Sequence, residues 1–451
     1  MLGLAMNSLR FQWSRFTATF INVFLGAVIL TAFASLFDTA AGSGVSASDA
    51  SSLNTIAAAV GGWGLLIVVF GLASTMRLSN SQRQGDLALL KAAGATPAQI
   101  GRLIVGEAIV VALIAALLAV GPAVLIGRGI LSALQSTGQI AGSVDYTFGL
   151  IATAAGPSIT MLAMIAAAVI TVRRTRHLSA KDALSQPVAD GSKITKTRVV
   201  VGVAILLVGI SCAAVTATVL EGEGFLALSV AGQAGIACAI GLALLSPVFL
   251  RAVIGPLDFL TRRVSGASGY LAASNIRRRT DQTAAITMPV IIFTALATVS
   301  LYTLKVQNSA NVADGLVLSA DDEGVQTLTF IIVGMIAVFA AIVVINNCVA
   351  TMLGRRAEFA LARKIGATPA QLRGSTMLES VCAVVVGIVL GTVAAAVGIA
   401  GFAYSRTGSL AIEPGPLTYV LILVIIAVLT LAAGRISTAR ALAKPMLAEI
   451  T

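Results

Sequence analysis

Four carboxylates recur in two pairs at one spacing: Asp86 with Glu107, and Glu358 with Glu379. Each pair brackets the same hexapeptide, Gly-Ala-Thr-Pro-Ala-Gln, at 94–99 and again 272 positions later at 366–371. The surrounding stretches, 86–107 and 358–379, are near-copies, so the chain contains an internal duplication. The first acid of each pair leads a short segment that also carries apolar and basic residues. Those are Leu87, Leu90 and Lys91 in the first copy, and Phe359, Ala362 and Arg363 in the second. An acid with apolar neighbours at the start of a short surface helix suits docking to another protein better than bond-making. Nucleotide hydrolysis has no footing here, because the phosphate-cradling GxxxxGK[ST] loop is absent and the dipeptide Gly-Lys does not occur. No HExxH, catalytic triad pattern or paired aqueous carboxylates stand elsewhere, and no metal site is expected.

The elements that position these residues follow from local rules. Gly94 and Gly366 suit the left-handed residue that ends a helix. Thr96 and Thr368 suit the N-cap of the next one, with Pro97 and Pro369 at its first position and Gln99 and Gln371 completing a Thr-x-x-Gln capping box. Each copy therefore predicts a short helix, a sharp break, and a second helix that runs on into an apolar stretch. Two readings of this elbow stay open. It is either only a well-capped entry to a membrane helix, or a docking element in which the acid and its apolar neighbours meet a partner. Glu107 and Glu379 lie eight residues beyond the Gln of each copy, about 12 Å along a helix. A carboxylate at that depth is a functional candidate, for coupling; equally, it can snorkel to water or pair with a basic loop residue.

Composition decides the class. Hydrophobic residues make up 57% of the 451 and charged residues only 11%, where a soluble domain carries about 25% charge. Uncharged apolar runs of membrane-spanning length fall at about 16–37, 56–76, 103–126, 148–172, 199–220, 225–250, 284–304, 325–353, 377–402 and 415–434. The expectation is an all-α polytopic protein of ten transmembrane helices, since a barrel would show short alternating strands. With both termini cytoplasmic, 27 of the 30 Lys and Arg fall on the cytoplasmic side, leaving Arg128, Lys305 and Arg406 outside with ten acids. That asymmetry follows the positive-inside rule. The net charge of +11 then reads as topology and contact with anionic membrane lipid. No nucleic-acid partner is expected, because the cations are spread over every cytoplasmic loop.

The duplication divides the chain into a first four-helix half (1–182), a linker with a central helix pair (183–269), and a second four-helix half (270–451). The halves share orientation and are parallel repeats. The first apolar run could pass for a signal peptide, but it is long for one, and its flank Leu4–Arg10 matches Leu271–Arg277 before an internal span. An uncleaved first helix is the preferred reading. Cys212, Cys238, Cys348 and Cys382 all fall in expected spans without a CxxC or Cys/His cluster, and His177 sits in a basic interfacial run. The outer loops, at most about 21 residues long, are too short to bury a core of their own. Small residues four apart, Ala115 and Ala119 or Gly387 and Gly391, predict close helix packing.

The twin motif, acid–apolar–Ala-Leu, then a cation, then Gly-Ala-Thr-Pro-x-Gln before a membrane span, resembles the FtsX-like permease family of ABC transporters, the MacB-type superfamily. The four-two-four plan is similar to its ten-span members, here without a large extracellular domain. The resemblance implies a permease subunit of the bacterial cytoplasmic membrane that is not itself an enzyme. ATP and Mg would be bound by a separate ABC ATPase, a dimer on one permease chain. It further implies that 86–93 and 358–365 are coupling helices that dock on that ATPase. The expected docking residues are thus Asp86, Leu87, Leu90, Lys91, Gly94, Glu358, Phe359, Ala362, Arg363 and Gly366. Export or outer-leaflet extraction of an amphipathic lipid, peptide or drug-like compound is the first functional expectation. The alternative is a non-transporting regulator that relays ATPase motion to a cell-wall hydrolase or sensor kinase. A secondary transporter ranks last, since spans such as 199–220 lack polar mid-membrane groups.

Overall fold

A computed structural model describes residues 13–82, 89–90, 92–175, 195–221, 224–313, 320–409 and 415–443. Eleven helices lie among them: α1 (Trp13–Ala40), α2 (Ala47–Gln82), α3 (Pro97–Ser136), α4 (Leu150–Thr175), α5 (Lys196–Thr218), α6 (Gly224–Arg278), α7 (Thr280–Ala313), α8 (Ala320–Gly354), α9 (Arg356–Lys364), α10 (Pro369–Thr407) and α11 (Pro416–Ala443). No strand occurs among the described residues. Eight helices, α1, α3 to α7, α10 and α11, are long and apolar enough to cross a membrane, as continuous apolar sequence requires. The remaining two expected spans fall within the 36-residue α2 and the 35-residue α8. The apolar stretch Ala337–Val349 belongs to α8.

Helices α1 to α4 belong to one compact unit, and α5 to α7 with α9 to α11 to a second; α8 divides between them at Gly334. Within the first unit α1 is central and packs on α2, α3 and α4. Ala119 of α3 is fully buried against Ala27 and Val28 of α1, as its small side chain permits. Asn22 donates its amide to the Thr75 hydroxyl of α2. At the opposite end from the hexapeptide, the Asp38 carboxylate accepts from the backbone N–H of Ile151 (3.1 Å) and Ala152 (2.6 Å), capping α4.

The second unit repeats this plan around α7. Gly387 and Gly391 of α10 lie against Val290 and Thr294 of α7, where any added side-chain carbon would collide. Asn347 of α8 donates to the Ala285 carbonyl at 2.6 Å; it stands 272 positions after Thr75. The second unit also contains the central helix pair. Helices α5 and α6 pack on each other through Gly209 and Gly241, and on α10 through Gly398 and Gly401. Arg198 fixes the base of the pair: its Nε donates to the Leu244 carbonyl (2.8 Å) and its Nη1 to Asp281 of α7 (3.0 Å). Gly266 breaks α6 with a left-handed φ of 51°, a conformation glycine adopts without penalty. The 12 residues after this break end at Arg278, and Arg279 alone separates them from α7.

Candidate functional site

The two hexapeptides fold alike. Gly94 has φ 90° and Gly366 φ 101°, the left-handed region the helix stop requires. The N–H of Ala95 reaches back to the Leu90 carbonyl at 2.9 Å, and that of Ala367 to Ala362 at 2.9 Å. With Gly366 also donating to the Arg363 carbonyl (3.2 Å), the second copy closes a full Schellman motif. Thr96 and Thr368 then cap α3 and α10. The Thr96 N–H donates to Gln99 Oε1 at 2.8 Å and the Gln99 N–H to Thr96 Oγ1 at 3.3 Å; the second copy gives 2.9 and 3.2 Å. Both capping boxes and both glycine stops match the local expectation.

The short helix α9 is amphipathic, and its orientation is settled by Phe359, which is only 5% exposed. Phe359 packs with Met352 of α8, Leu372 of α10 and Ala441 of α11, with Ala362 and Ala367 beside it. The opposite face carries Leu361 (62% exposed), Lys364 and Ile365 to solvent. In the first copy Leu89, which stands 272 positions before Leu361, is 64% exposed, and Leu90 is partly so.

Charged groups then surround the base of α9. Arg355 at its N-cap position places both terminal nitrogens on Glu379 of α10, Nη1 to Oε2 at 2.5 Å and Nη2 to Oε1 at 3.0 Å. This fork-to-carboxylate geometry is the most directional ion pair that side chains make. Asn275 adds a 2.7 Å hydrogen bond to Glu379, and Ser375 one of 3.3 Å. Glu358 pairs with Arg279, the residue between α6 and α7.

A family model for the FtsX-like permease C-terminal domain matches residues 58–176 and 330–446, together 236 of the 451 positions. The chain belongs to the FtsX-like permease family. A comparison with curated proteins gives no match. Each matched FtsX-like segment contains one hexapeptide elbow and the apolar helices on either side of it. Members of this family are membrane subunits of ABC transporter-type systems and work with an ABC ATPase. This FtsX-like permease is accordingly a multi-pass protein of the bacterial inner membrane.

The expected docking residues divide on the structure. Asp86, Leu87 and Lys91 lie outside the described residues, while Leu90 is exposed and Gly94 forms the stop. In the second copy Gly366 forms the stop, Arg363 is half-buried, and Phe359 and Ala362 face inward. Glu358 is held within the chain by Arg279. Glu379 is buried and paired, and Glu107 is buried within α3, only 2% exposed. Leu89, Leu361 and Ile365 carry the exposed face and were not singled out from sequence. The signal was present as an i, i+4 apolar pair, Leu361 and Ile365, but Phe359 and Ala362 make an equally good stripe at i, i+3.

Proposed function

We propose that this chain is the permease subunit through which ATP hydrolysis in a separate ABC ATPase drives export, or outer-leaflet extraction, of an amphipathic lipid, peptide or drug-like compound. The observation that carries this reading is the pair of exposed leucines, Leu89 and Leu361, at the same place in two copies of one elbow. An apolar side chain left in water beside a hydrogen-bonded elbow is a suitable anchor for an apolar cleft on a partner. Lys364 and the half-buried Arg363 beside Leu361 would favour an acidic rim around that cleft. Two such anchors on one chain suit a dimer of ATPase subunits, with ATP and Mg held entirely by that partner.

In this mechanism ATP binding closes the ATPase dimer and displaces the two docking helices. Each displacement passes through its elbow into the helix that follows, α3 or α10. The capping boxes make each elbow a stiff corner, because both ends of the turn are hydrogen-bonded. The four-helix halves then shift and expel the substrate from surrounding membrane lipid. The assignment of 86–93 and 358–365 as docking helices is refined on one point: Phe359 anchors α9 to its own bundle, and Leu361 and Ile365 make the outward contact.

The test is binding of the ATPase subunit to purified permease in lipid nanodiscs. Leu89→Asp with Leu361→Asp is expected to weaken binding by about a hundredfold, the scale of losing a central apolar anchor at each contact. Unchanged binding would defeat the docking assignment. ATP turnover stimulated by amphiphiles, together with their movement in vesicles, supports transport; stimulation without movement points instead to relay of ATPase motion to another envelope protein.

A further inference from the structure

Arg355 and Glu379 are buried, with side chains 3% and 11% exposed. A buried ion pair adds little net stability over apolar side chains of the same volume, because both charges lose water. Among the described residues the buried Arg355 Nε has no hydrogen-bond partner, so this pair is not arranged for the greatest stability. What a forked pair supplies is fixed distance and fixed rotation. It supplies them between α9 and α10, while Asn275 brings in the segment after the Gly266 break. The Arg355 guanidinium also lies 5.2 Å from the Phe359 ring centre, on the inward face of α9. Arg279 and Glu358 then tie the same short helix to the start of α7. Two cations and two carboxylates thus meet where α6, α7, α8, α9 and α10 converge.

We propose that Arg355, Glu379 and Asn275 form a joint that makes α9 and α10 move as one body, with Arg355 and Glu379 as positioning residues for energy transfer. The inference rests on the reading of α9 as an ATPase-docking helix. Without the joint, the nine residues of α9 are held to the bundle by the part-exposed Arg279–Glu358 pair and by the apolar contacts of Phe359, which can slide. With it, a push on the outer face of α9 reaches α10 without a change of angle, and reaches α7 through Arg279. The first copy repeats the two charged positions of the joint in sequence. Arg83 and Glu107 stand 272 positions before Arg355 and Glu379, with the same separation of 24 residues. Arg83 itself lies outside the described residues.

The test uses the permease and its ATPase subunit together in lipid nanodiscs, comparing wild type with Arg355→Met plus Glu379→Leu. Replacing both charges by apolar side chains preserves folding in such pairs. Expected are a wild-type unfolding temperature and ATPase binding within about twofold of wild type. The permease-dependent change in ATP turnover should fall about tenfold, within the usual range of coupling between sites. Wild-type coupling in this variant overturns the joint. A second measurement needs no alteration of the pair: spin labels at Ala360 and Val385 report the distance between α9 and α10. That distance should stay the same with and without ATP-bound partner, and a nucleotide-dependent change overturns the proposal. Failure of the docking reading is distinguishable, since it shows as retained ATPase binding in Leu89→Asp with Leu361→Asp.

Discussion

The two halves of this permease share an elbow and differ in what covers the helix that follows it. Helix α10 is buried over 61% of its most apolar stretch, whereas its duplicate α3 is buried over 33%. The difference traces to single residues. Gly398 and Gly401 of α10 admit α5 and α6 to backbone contact. The corresponding positions on α3 are Ile126 and Gly129; Ile126 is exposed, and among the described residues nothing lies within 4 Å of a side-chain carbon added at Gly129. Leu118, also exposed, corresponds to the buried Leu390. Glycine appears where helices pack in a membrane, and branched apolar side chains where lipid does. A duplicated scaffold has thus kept its elbow and diversified its flank. In this account the second half has the more heavily braced output helix.

The largest test of that difference lies at the joint. Glu379→Ala leaves Arg355 charged, buried and without its main partner, which should cost about 3–5 kcal/mol, read as a lower unfolding temperature in detergent or nanodiscs. A cost under about 1 kcal/mol, the scale of an exposed pair, would mean that water reaches Arg355. The next test addresses the flank directly. Gly401→Leu forces a side chain into the Ala213 backbone of α5 and should destabilise by about 1–3 kcal/mol. Gly129→Leu enters open space and should change stability by no more than about 0.5 kcal/mol. Equal effects at the two glycines would erase the asymmetry.

The elbows themselves should respond alike. Thr96→Ala and Thr368→Ala each remove one side of a capping box and should each cost about 1 kcal/mol, measured as faster amide exchange at the starts of α3 and α10. A clear difference between them would show that the hexapeptides are not equivalent in solution. The smallest stability effect belongs to Leu361→Ser, which should lie within about 0.5 kcal/mol of wild type because the side chain already faces water. Its ATPase affinity should nonetheless drop about tenfold or more, as for truncation of an apolar anchor.

Much of this architecture was legible from sequence, and the gaps have physical causes. The elbow was readable because capping is local: Gly94, Thr96, Pro97 and Gln99 interact within a few residues of each other. Close packing at Ala119, Gly387 and Gly391 was readable because small side chains in membrane helices have few other uses. The inward face of α9 was not readable. Nine residues make about two and a half turns, and Phe359 with Ala362 competes with Leu361 and Ile365 as the apolar stripe. Only the neighbouring Met352, Leu372 and Ala441 decide between them. The partner of Glu379 was equally hidden. Arg355, Arg356, Arg363, Lys364 and Arg373 all lie within 24 residues of it, and the choice of Arg355 is made by how α8 ends against α10. The attachment of α5 and α6 to the second half had one sequence trace, the glycines at 398 and 401, which gains meaning only beside Ile126 in the first copy.

In the proposed mechanism α9 turns Leu361 and Ile365 outward to the ATPase while Phe359 stays within the permease. Site-specific photo-crosslinking in the assembled complex tests it most directly, with the photoreactive residue placed in turn at 359, 361 and 365. Crosslinks to the ATPase are expected from 361 and 365, and from 359 only to the permease itself. Crosslinks to the ATPase from 359, with none from 361 or 365, would contradict it.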